Sequence, residues 1–247
     1  MSRFYVPPEN VHIKRKEIEV PAEESHHIID VMRMRESDKV VVFDGTGNEY
    51  TGFIEQIDNR TKGLTIRIIK TDTPSIGKVP EVHLAQAIPK QNRMDYIIEK
   101  ATELGVSRVI PFISDRTIVR PAAASAERKK LRWKAIAKEA SKQCGRRRSP
   151  EISGITGVKD VLDTCDEYDL VLFAWLSEET RPIRTSLEGF KTGKVLVLIG
   201  PEEDFTPKEA SNAVMDNCKF ISLGKRVLKS DTAGLFVLSV LSYEFSI

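Results

Sequence analysis

The sequence predicts a two-part protein of the α/β class. A small β-rich unit over residues 1–72 is followed by a larger unit, residues 73–247, with a mostly parallel sheet. Three observations lead to this prediction. Short apolar runs around a glycine-containing turn mark the first part as β-rich. Residues 72–80 combine two prolines with a glycine and have linker composition, and after them strand-like runs alternate with helical patterns. Hydrophobic residues make up 40% of the 247 residues, which is enough for a sizeable core.

A β-hairpin is predicted near the middle of the first unit. Apolar residues 40–43 and residues 50–54 flank the segment 44–48, whose sequence DGTGN is typical of hairpin turns. Residues 64–69 supply another strand. A short helix is expected within residues 21–34.

Two adjacent histidines, His26 and His27, lie in this predicted short helix. Neighbouring residues on a helix point in different directions, which argues against a shared metal site. We weigh a surface or packing role above a functional one. The sequence contains no other metal-ligand spacing, so no metal is expected.

The cysteines and the start of the chain bear on the cellular compartment. Cys144, Cys165 and Cys218 are scattered and include no C-x-x-C pair, so they are expected to be reduced structural thiols. The first thirty residues carry charges throughout and contain no signal-peptide core, and no apolar run is long enough to cross a bilayer. These features predict a cytoplasmic protein without a membrane partner.

Strands and helices are expected to alternate through the second unit, as in sheets that helices cover. In the first helix, apolar residues recur at helical spacing from Met94 to Leu104, and Gly105 ends it. The last helix is apolar on nearly all sides, which places it in the core or in a dimer interface. The predicted strands cover residues 82–88, 108–113, 170–174, 195–199 and 220–223, and the predicted helices begin near residues 93, 125, 207 and 231.

The stretch over residues 195–209 is typical of a buried strand, a polar turn and a helix start without a gap. Thr206 can cap the helix, Pro207 suits its first position, and Glu209 completes an S/T-x-x-E capping box. Ligands of open α/β sheets bind beyond the carboxyl ends of the strands, which makes residues 200–205 a candidate site. An ordinary strand-to-helix connection is the alternative.

Two further loops are expected at strand carboxyl ends, residues 175–180 and 223–230. If the strands are neighbours, all three loops converge and can offer backbone groups to an adenine and a ribose. Ser230 or Asp231 would then cap the last helix. The standard nucleotide-binding motifs are missing, so three ordinary connections stay open as the alternative.

Positive charge is concentrated in residues 121–150, although the net charge of the chain is only +2. This segment holds ten lysines and arginines against two glutamates. Four lysines recur every four residues along one side of the predicted helix, and three arginines follow its end. Such a stripe is often only a solvated surface, but the near absence of compensating acids favours phosphate binding. The residues are Lys130, Lys134, Lys138, Lys142, Arg146, Arg147 and Arg148.

Five motifs in order carry a family resemblance. They are KQNRMDYIIEKATELGV at 90–106, SDRT at 114–117, QCGR at 143–146 with Pro150, GPE at 200–202 with Phe205 and Thr206, and LGKRVLKSDTA at 223–233. Together they resemble the RsmE family, whose members are SPOUT-class methyltransferases that modify N3 of uridine in 16S ribosomal RNA. The resemblance covers essentially the whole chain.

The resemblance implies a fold, a cofactor and partners. The fold is a small N-terminal PUA-like β-barrel followed by a SPOUT α/β methyltransferase domain with a C-terminal trefoil knot. The cofactor is S-adenosylmethionine, held bent in the knot. The substrate is small-subunit ribosomal RNA or the assembled 30S subunit, the chain is a homodimer, and its role belongs to ribosomal RNA processing and ribosome biogenesis.

The resemblance implies cofactor-binding residues, and the chemistry of methyl transfer to N3 suggests catalytic ones. Glu202 is expected to take the proton from N3, or else only to orient backbone amides, and Arg116 with Arg146 to stabilise the developing anion. The expected cofactor-binding residues are Ala174, Trp175, Ile199, Gly200, Glu202, Leu223, Gly224, Leu228, Ser230 and Thr232. The expected RNA-binding residues are Lys90, Arg93, Lys134, Lys138, Arg146, Arg147 and Arg148.

The sequence departs from the family pattern at two places. Glu203 and Asp204 stand where the family has a pair of glycines, and Lys229 and Asp231 stand where it has Arg and Glu. Losing both glycines reduces tolerance of positive φ and adds negative charge, so an altered loop geometry or cofactor affinity is expected.

Two other functions are weighed beside methyl transfer. One is an RNA-binding or ribosome-assembly module whose altered loop has lost catalysis, which predicts no binding of S-adenosylmethionine. The other is a small-molecule α/β enzyme unrelated to RNA, for which the arginines 146–148 would be dispensable.

Overall fold

The computed structural model describes residues 3–58, 63–73, 79–215 and 217–247. Across these ranges, no helix combines the length and the apolar character needed to span a bilayer. All three cysteine thiols are free. Burial raises the pKa of Cys165 to about 11 and that of Cys218 to about 12, so both thiols stay protonated and unreactive at neutral pH.

The chain divides into two compact units. The first comprises Met1–Gly77 together with Ser141–Ser149, and the second comprises Lys78–Ala140 together with Pro150–Ile247. Part of the predicted linker, residues 74–78, lies outside the described residues, and the domain division at residue 72 stays a prediction. The inclusion of the 141–149 segment in the first unit was not foreseen.

The first unit is built on a six-stranded sheet in the order β1-β4-β5-β6-β3-β2. β1 and β4 run parallel, whereas the other neighbours are antiparallel. The predicted hairpin, the third predicted strand and the short helix are all present, and α1 continues into a π-helical turn over His27–Val31. The elements are β1 Arg3–Tyr5, β2 Val11–His12, β3 Glu17–Val20, α1 Ala22–His26, β4 Lys39–Phe43, β5 Glu49–Asp58 and β6 Gly63–Asp72.

The hairpin turn of the first unit is organised by the carboxylate of Asp44, which is 3% exposed. It accepts hydrogen bonds from Thr46 N at 2.8 Å and Thr46 Oγ1 at 2.7 Å. Asn48 Nδ2 donates at 2.8 Å and the Tyr50 hydroxyl at 3.0 Å. Although burial acts to raise the pKa of Asp44, these hydrogen bonds outweigh it and leave the pKa below its ordinary value. The ionised carboxylate therefore holds the turn.

Replacing Asp44 with asparagine is expected to lower the free energy of unfolding of the first unit by about 2 kcal/mol at pH 7, because bonds to a charged acceptor are lost. The folded-state pKa lies below the unfolded value, so this contribution is complete above the unfolded pKa and is lost as the pH falls through the folded one. The difference between the variants should therefore shrink on acidification. Hydrogen exchange of β5 amides at pH 7 and in acid measures it.

Glu55→Gln is the matched control, since Glu55 pairs with Arg67 on the exposed surface of the same sheet. It should change stability by roughly 0.5 kcal/mol or less. An Asp44→Asn effect no larger than this control would show that the turn does not depend on the carboxylate.

The second unit is built on a parallel sheet in the order β10-β8-β7-β13-β11-β14-β12, with β9 paired to β8. Its five longer strands agree with the sequence prediction, while the two-residue strands are too short to leave a periodic pattern. The strands are β7 Glu81–Ala87, β8 Arg108–Ile113, β9 Glu151–Ile152, β10 Thr156–Gly157, β11 Leu170–Ala174, β12 Arg181–Pro182, β13 Lys194–Ile199 and β14 Cys218–Ser222.

Helices pack on both faces of this sheet. The central strands are therefore buried on both sides. The four predicted helices are present, and α4 and α5 are additional one-turn elements. The helices are α2 Arg93–Glu103, α3 Ala123–Cys144, α4 Val158–Leu162, α5 Ile183–Ser186, α6 Pro207–Ser211 and α7 Ser230–Phe245.

The last helix, α7, packs into the core as its composition predicts. Val237, Leu238 and Leu241 are fully buried. Gly234 lets the helix approach β7, since a Cβ there would lie 2.9 Å from Gln86 Oε1. The first turn of α7 is thereby held close to the carboxyl ends of the central strands.

A candidate ligand pocket in the second unit

Four strands of the second sheet end at the same level. Ile199 at the end of β13 pairs with Gln86 on one side and with Ala174 on the other. Ala174 in turn pairs with Ile221 of β14. Because these strands are neighbours and parallel, the loops that follow β11, β13 and β14 meet at one edge, which is the arrangement that the three-loop hypothesis required.

These loops enclose a cavity of about 530 Å³. Nine of the ten predicted cofactor-binding residues line it, and the roles assigned to them stay predictions. Loop residues that the prediction did not name also line it, among them Leu176, Asp204 and Lys229. The nine predicted residues in the lining are Ala174, Trp175, Ile199, Gly200, Glu202, Leu223, Gly224, Leu228 and Ser230.

Thr232 differs from the other nine predicted residues. It lies in the first turn of α7, is exposed, and is not in the cavity lining. Its backbone N–H donates to Asp231 Oδ1 at 2.9 Å, and its hydroxyl lies 3.4 Å from the same oxygen. A position carried over from a motif does not fix the direction of a side chain on a helix, and here the turn of the helix places Thr232 outside the cavity.

The floor of the cavity is fixed by a short hydrogen-bond chain. The Ser230 hydroxyl donates to the Gly200 carbonyl at 2.6 Å and accepts from Gln86 Nε2 at 2.8 Å. The prediction that Ser230 or Asp231 caps α7 is therefore wrong: Lys229 is the N-cap residue and offers no side-chain cap. Ser230 sits one position later, where its hydroxyl reaches the Gly200 turn instead.

Gln86 was not foreseen as a site residue. It is fully buried near the end of β7, and no described group donates a hydrogen bond to its Oε1 atom. A lone amide within a run of apolar strand residues is the sequence signal that could have identified it, because buried polar groups need partners. Gln86 Nε2 donates to the Ser230 hydroxyl and, at 3.2 Å, to the carbonyl of Ala87.

A turn after β8 supports the loop over residues 200–205 from outside the cavity. Arg116 Nη1 donates to the carbonyl of Glu203 at 2.7 Å and to that of Phe205 at 3.3 Å. Glu209 Oε1 accepts from Asp115 N at 2.9 Å. The guanidinium predicted to stabilise an anion is thus placed against the backbone of the candidate loop.

The predicted capping box at the start of α6 is confirmed. Glu209 N donates to Thr206 Oγ1 at 3.2 Å, and Thr206 N donates to Glu209 Oε2 at 2.7 Å. Since the Glu209 carboxylate is 4% exposed and also accepts from the turn after β8, the box fixes both the helix start and the neighbouring turn.

Glu202 is exposed at the cavity mouth, where its Oε1 atom accepts a hydrogen bond from Lys90 N at 2.8 Å. This bond is the arrangement expected of a carboxylate that orients a backbone amide. The second oxygen is not engaged in a hydrogen bond with any described residue, so the carboxylate can also act on a substrate. Nearby in the same unit, Arg93 Nη1 lies 3.4 Å from Asp231 Oδ2.

Asp204 adopts φ +62°, in the left-handed region where glycine is favoured. The loss of the glycine pair was expected to reduce tolerance of positive φ, and the chain nevertheless adopts this conformation at Asp204. Aspartate tolerates this region better than most residues, because its short polar side chain can hydrogen-bond locally. Phe205 N does donate to Asp204 Oδ1 at 2.8 Å.

The basic residues of the first unit have acidic partners that the sequence did not place near them. Arg147 pairs with Glu49 at 3.3 Å and with Asp72 at 2.9 Å, and Lys142 pairs with Glu24. Acidic residues are scarce only within the sequence segment 121–150. In the folded first unit, carboxylates from β5, β6 and α1 pair with its basic side chains.

Two other predicted residues of this segment, Arg146 and Arg148, also lie in the first unit. Arg148 Nε donates to the carbonyl of Thr46 at 3.1 Å. Burial lowers the pKa of Arg146, which the nearby Cys144 partly offsets. Arg146 thus belongs to a different unit from Glu202 and Arg116, the other two predicted catalytic residues.

On α3, the predicted RNA-binding lysines of the second unit flank the buried side of the helix. Trp133 and Ala137 are buried, whereas Lys134 is exposed and Lys138 half-buried. Arg132 is paired with Asp95 at 2.5 Å. Among the residues that the structure describes, the exposed Lys134 has no ion-pair partner.

Two family models match the chain. The RNA methyltransferase domain matches residues 77–242, and the RNA methyltransferase PUA domain matches residues 20–67. The chain is also similar to Ribosomal RNA small subunit methyltransferase E of Bacillus subtilis, with 28% identity over 231 residues that cover 91% of this chain and 89% of the relative.

Two solved structures have the same fold over nearly their whole length. A putative methyltransferase from Legionella pneumophila, in complex with the bound cofactor SAM, is 29% identical with a TM-score of 0.84, covering 98% of this chain and 97% of that one. Ribosomal RNA small subunit methyltransferase E from Neisseria gonorrhoeae, bound to S-adenosyl methionine, is 27% identical with a TM-score of 0.84, covering 99% and 98%.

Proposed function

This chain belongs to the RNA methyltransferase family, and we infer that it transfers the methyl group of S-adenosylmethionine to N3 of a uridine in 16S ribosomal RNA. The family model covers residues 77–242, which contain the pocket. The observation that carries the inference is the convergence of three loops on one cavity at the carboxyl ends of parallel strands. An N-terminal PUA-like domain precedes this unit.

The residues around the cavity fit S-adenosylmethionine. The cavity of about 530 Å³ lies within the usual span for small-molecule sites, roughly 300–1,000 Å³. Ile199, Ile221 and Leu228 provide apolar surface for an adenine ring, while Glu178 and Lys229 can hold the charged end of a methionine group. The pocket therefore offers both kinds of contact that this cofactor needs.

The bound cofactor supplies a methyl group already activated on a sulfonium, so the chain itself has to position the uridine and remove its N3 proton. Glu202 stands at the cavity mouth with one oxygen available, and we assign it as the base. We assign to Arg116 the stabilisation of the deprotonated ring, and the same role for Arg146 of the first unit stays a prediction. Because Arg116 Nη1 already holds the backbone of residues 203–205, its contribution includes placing this loop.

The substitution Glu202→Gln distinguishes the two proposed roles of Glu202, the base that removes the N3 proton and the carboxylate that orients a backbone amide. The amide oxygen can still accept from Lys90 N, but the side chain can no longer take a proton. If Glu202 is the base, the single-turnover rate of methyl transfer should fall about 10²- to 10⁴-fold, while cofactor affinity stays unchanged.

The control for this experiment is Glu203→Gln, which removes the same charge from an exposed side chain outside the cavity lining. It should leave the rate unchanged. An unaltered rate in Glu202→Gln would reduce Glu202 to a residue that orients the Lys90 amide.

We propose that RNA binds through phosphates to the basic side chains on α3 and at the mouth of the pocket. Lys90 and Lys134 are exposed, which suits contacts with a polyanion, and Lys138 and Arg93 extend the positive surface of the second unit. Arg146, Arg147 and Arg148 would contribute from the first unit, with the Arg147 charge partly matched by acids. The partner proposed for this surface is small-subunit ribosomal RNA, either free or within the assembled 30S subunit.

The resemblance supports three finer proposals. We propose a trefoil knot that includes the loop before α7; the contact of Ser230 with the Gly200 turn is in keeping with it. We propose a homodimer, since Tyr96 on α2 and Phe236 and Tyr243 on α7 expose large aromatic surface on two helices that pack together. An enzyme that acts on ribosomal RNA would work in the cytoplasm.

The direct test is to map N3-methyluridine in 16S ribosomal RNA from cells with and without this protein. One uridine should lose its methyl group in the deletion and regain it when the wild-type gene is restored. Identical maps would overturn the proposed function.

The two other functions make different predictions. A ribosome-assembly module without catalysis would not bind S-adenosylmethionine in a calorimetric titration, and the cofactor-bound relatives disfavour it. A small-molecule enzyme unrelated to RNA disagrees with the match of residues 77–242 to an RNA methyltransferase domain.

A further inference from the structure

Asp204 is a charged residue at a strained position in the wall of the cavity. Its φ of +62° carries a steric cost for a residue with a Cβ atom. Its backbone N–H donates to the Pro201 carbonyl at 3.0 Å, which closes a tight turn after β13. A strained residue that lines a ligand cavity needs a compensating interaction, and its side chain supplies one.

The two carboxylate oxygens of Asp204 bind two different loops. Oδ1 accepts from Phe205 N at 2.8 Å within its own turn. Oδ2 accepts from Leu176 N at 2.8 Å, in the loop that follows β11, 28 positions away in the sequence. One side chain therefore joins two of the three loops that enclose the cavity.

The surroundings keep this carboxylate in place. Arg116 Nη1 holds the carbonyls of Glu203 and Phe205, the residues on either side of Asp204. Burial raises the pKa of Asp204, which the two backbone N–H groups and the Arg116 charge partly counteract. The carboxylate is thus partly withdrawn from water and depends on the two N–H groups for its solvation.

We propose that Asp204 is a positioning residue whose carboxylate latches residues 175–180 to the turn over residues 200–205, so that two walls of the cofactor cavity are joined before the ligand binds. The identity of the ligand rests on the proposed function. A joined wall lowers the ordering cost of binding, and this saving is the same for any ligand that uses both loops. A glycine at this position has no side chain and could not join the two loops.

Two substitutions dissect the latch. Asp204→Gly keeps access to positive φ but removes both side-chain hydrogen bonds. Asp204→Asn also tolerates this backbone region, but it replaces one of the two accepting oxygens with an NH₂ group, which cannot accept from the N–H group that this oxygen served. Glu203→Gln is the control, because it removes one negative charge from the adjacent exposed position without touching the latch.

The experiment uses the full chain and two titrants, S-adenosylmethionine, whose sulfonium is cationic, and S-adenosylhomocysteine, whose sulfur is neutral. Asp204→Gly should weaken both by about tenfold or more, and by the same factor, because the two loops are no longer joined and must be ordered when either ligand binds. Asp204→Asn should weaken both to a smaller extent. Hydrogen exchange at the Leu176 amide should speed up in both variants and stay unchanged in Glu203→Gln.

Three results would overturn the latch. One is wild-type affinity of Asp204→Gly for both ligands. Another is a loss confined to S-adenosylmethionine, which would mean that Asp204 acts by its charge on the sulfonium. The third is unchanged exchange at Leu176 in Asp204→Gly. If the wild-type chain binds neither titrant, the proposed function fails, and the exchange at Leu176 still decides whether the latch exists.

Discussion

Replacing Phe205 with alanine is expected to lower the free energy of unfolding of the second unit by about 3–5 kcal/mol, the usual cost of removing a buried phenyl ring. Binding of S-adenosylmethionine should fall below detection in the same variant. Both effects follow from the position of the ring, which lies in the core directly beneath the candidate loop.

The Phe205 ring is 1% exposed and packs between two other buried rings. Its centroid lies 4.3 Å from that of Phe173 and 6.0 Å from that of Phe112. A Cβ on Gly200 would lie 3.0 Å from the edge of the Phe205 ring, so the ring fills the space under the turn. Alanine would leave a void there, and the turn over residues 200–205 would lose its support.

Denaturation followed by tryptophan fluorescence measures this change, because Trp133 and Trp175 both lie in the second unit. Phe205→Leu should retain most of the stability, since it keeps much of the buried volume. Val214→Ala is the control, because that side chain is 71% exposed in the same unit and its loss should cost little. A Phe205→Ala variant that binds the cofactor normally would show that the turn does not rest on this ring.

The sequence predicted the strand, turn and helix around Gly200 because each signal there is local. The buried strand is recognised from a run of neighbouring apolar residues. The Thr206–Glu209 capping box is recognised from residues within one turn of helix. The order of the strands was not predicted, and it is this order that brings the loops after β11, β13 and β14 together.

Local sequence rules were insufficient where a side chain bonds to a distant part of the chain. Serine is a residue type that commonly caps helices, but the Ser230 hydroxyl instead forms hydrogen bonds with Gly200, thirty positions earlier, and with Gln86. Aspartate in place of glycine was expected to reduce tolerance of positive φ at position 204, yet its side chain accepts hydrogen bonds from Phe205 and Leu176 that make the conformation tolerable. Neither partnership follows from residue spacing along the chain.

The basic segment illustrates the same limit for charge. Counting along residues 121–150 gives ten cations and two acids, which suggests a uniform basic stripe. In the structure Arg132 and Arg147 face the carboxylates of Asp95 and of Glu49 and Asp72. The positive potential available to a polyanion is therefore uneven, and the unmatched lysines should account for most of it.

The double substitution Lys130→Gln and Lys134→Gln is therefore expected to weaken binding to 16S ribosomal RNA about tenfold at 0.1 M salt. The slope of log affinity against log salt should fall in magnitude by roughly 1–2, because two phosphate contacts no longer release counterions. These lysines lie one turn apart on α3, and neither forms an ion pair with a residue that the structure describes. Fluorescence anisotropy with labelled RNA at several salt concentrations gives both quantities.

The matched comparison is the double variant Arg132→Gln and Arg147→Gln, which removes the same net charge from residues that already face carboxylates. An arginine that is paired with a carboxylate attracts a phosphate only weakly, because the carboxylate cancels most of its positive potential. Removing it leaves an unpaired carboxylate and loses no phosphate contact, so the slope of log affinity against log salt should change much less than in the lysine variant. If both double variants lose affinity equally and change the slope equally, RNA responds to the total charge of the protein. A difference between them instead locates the docking surface on the unmatched side of α3.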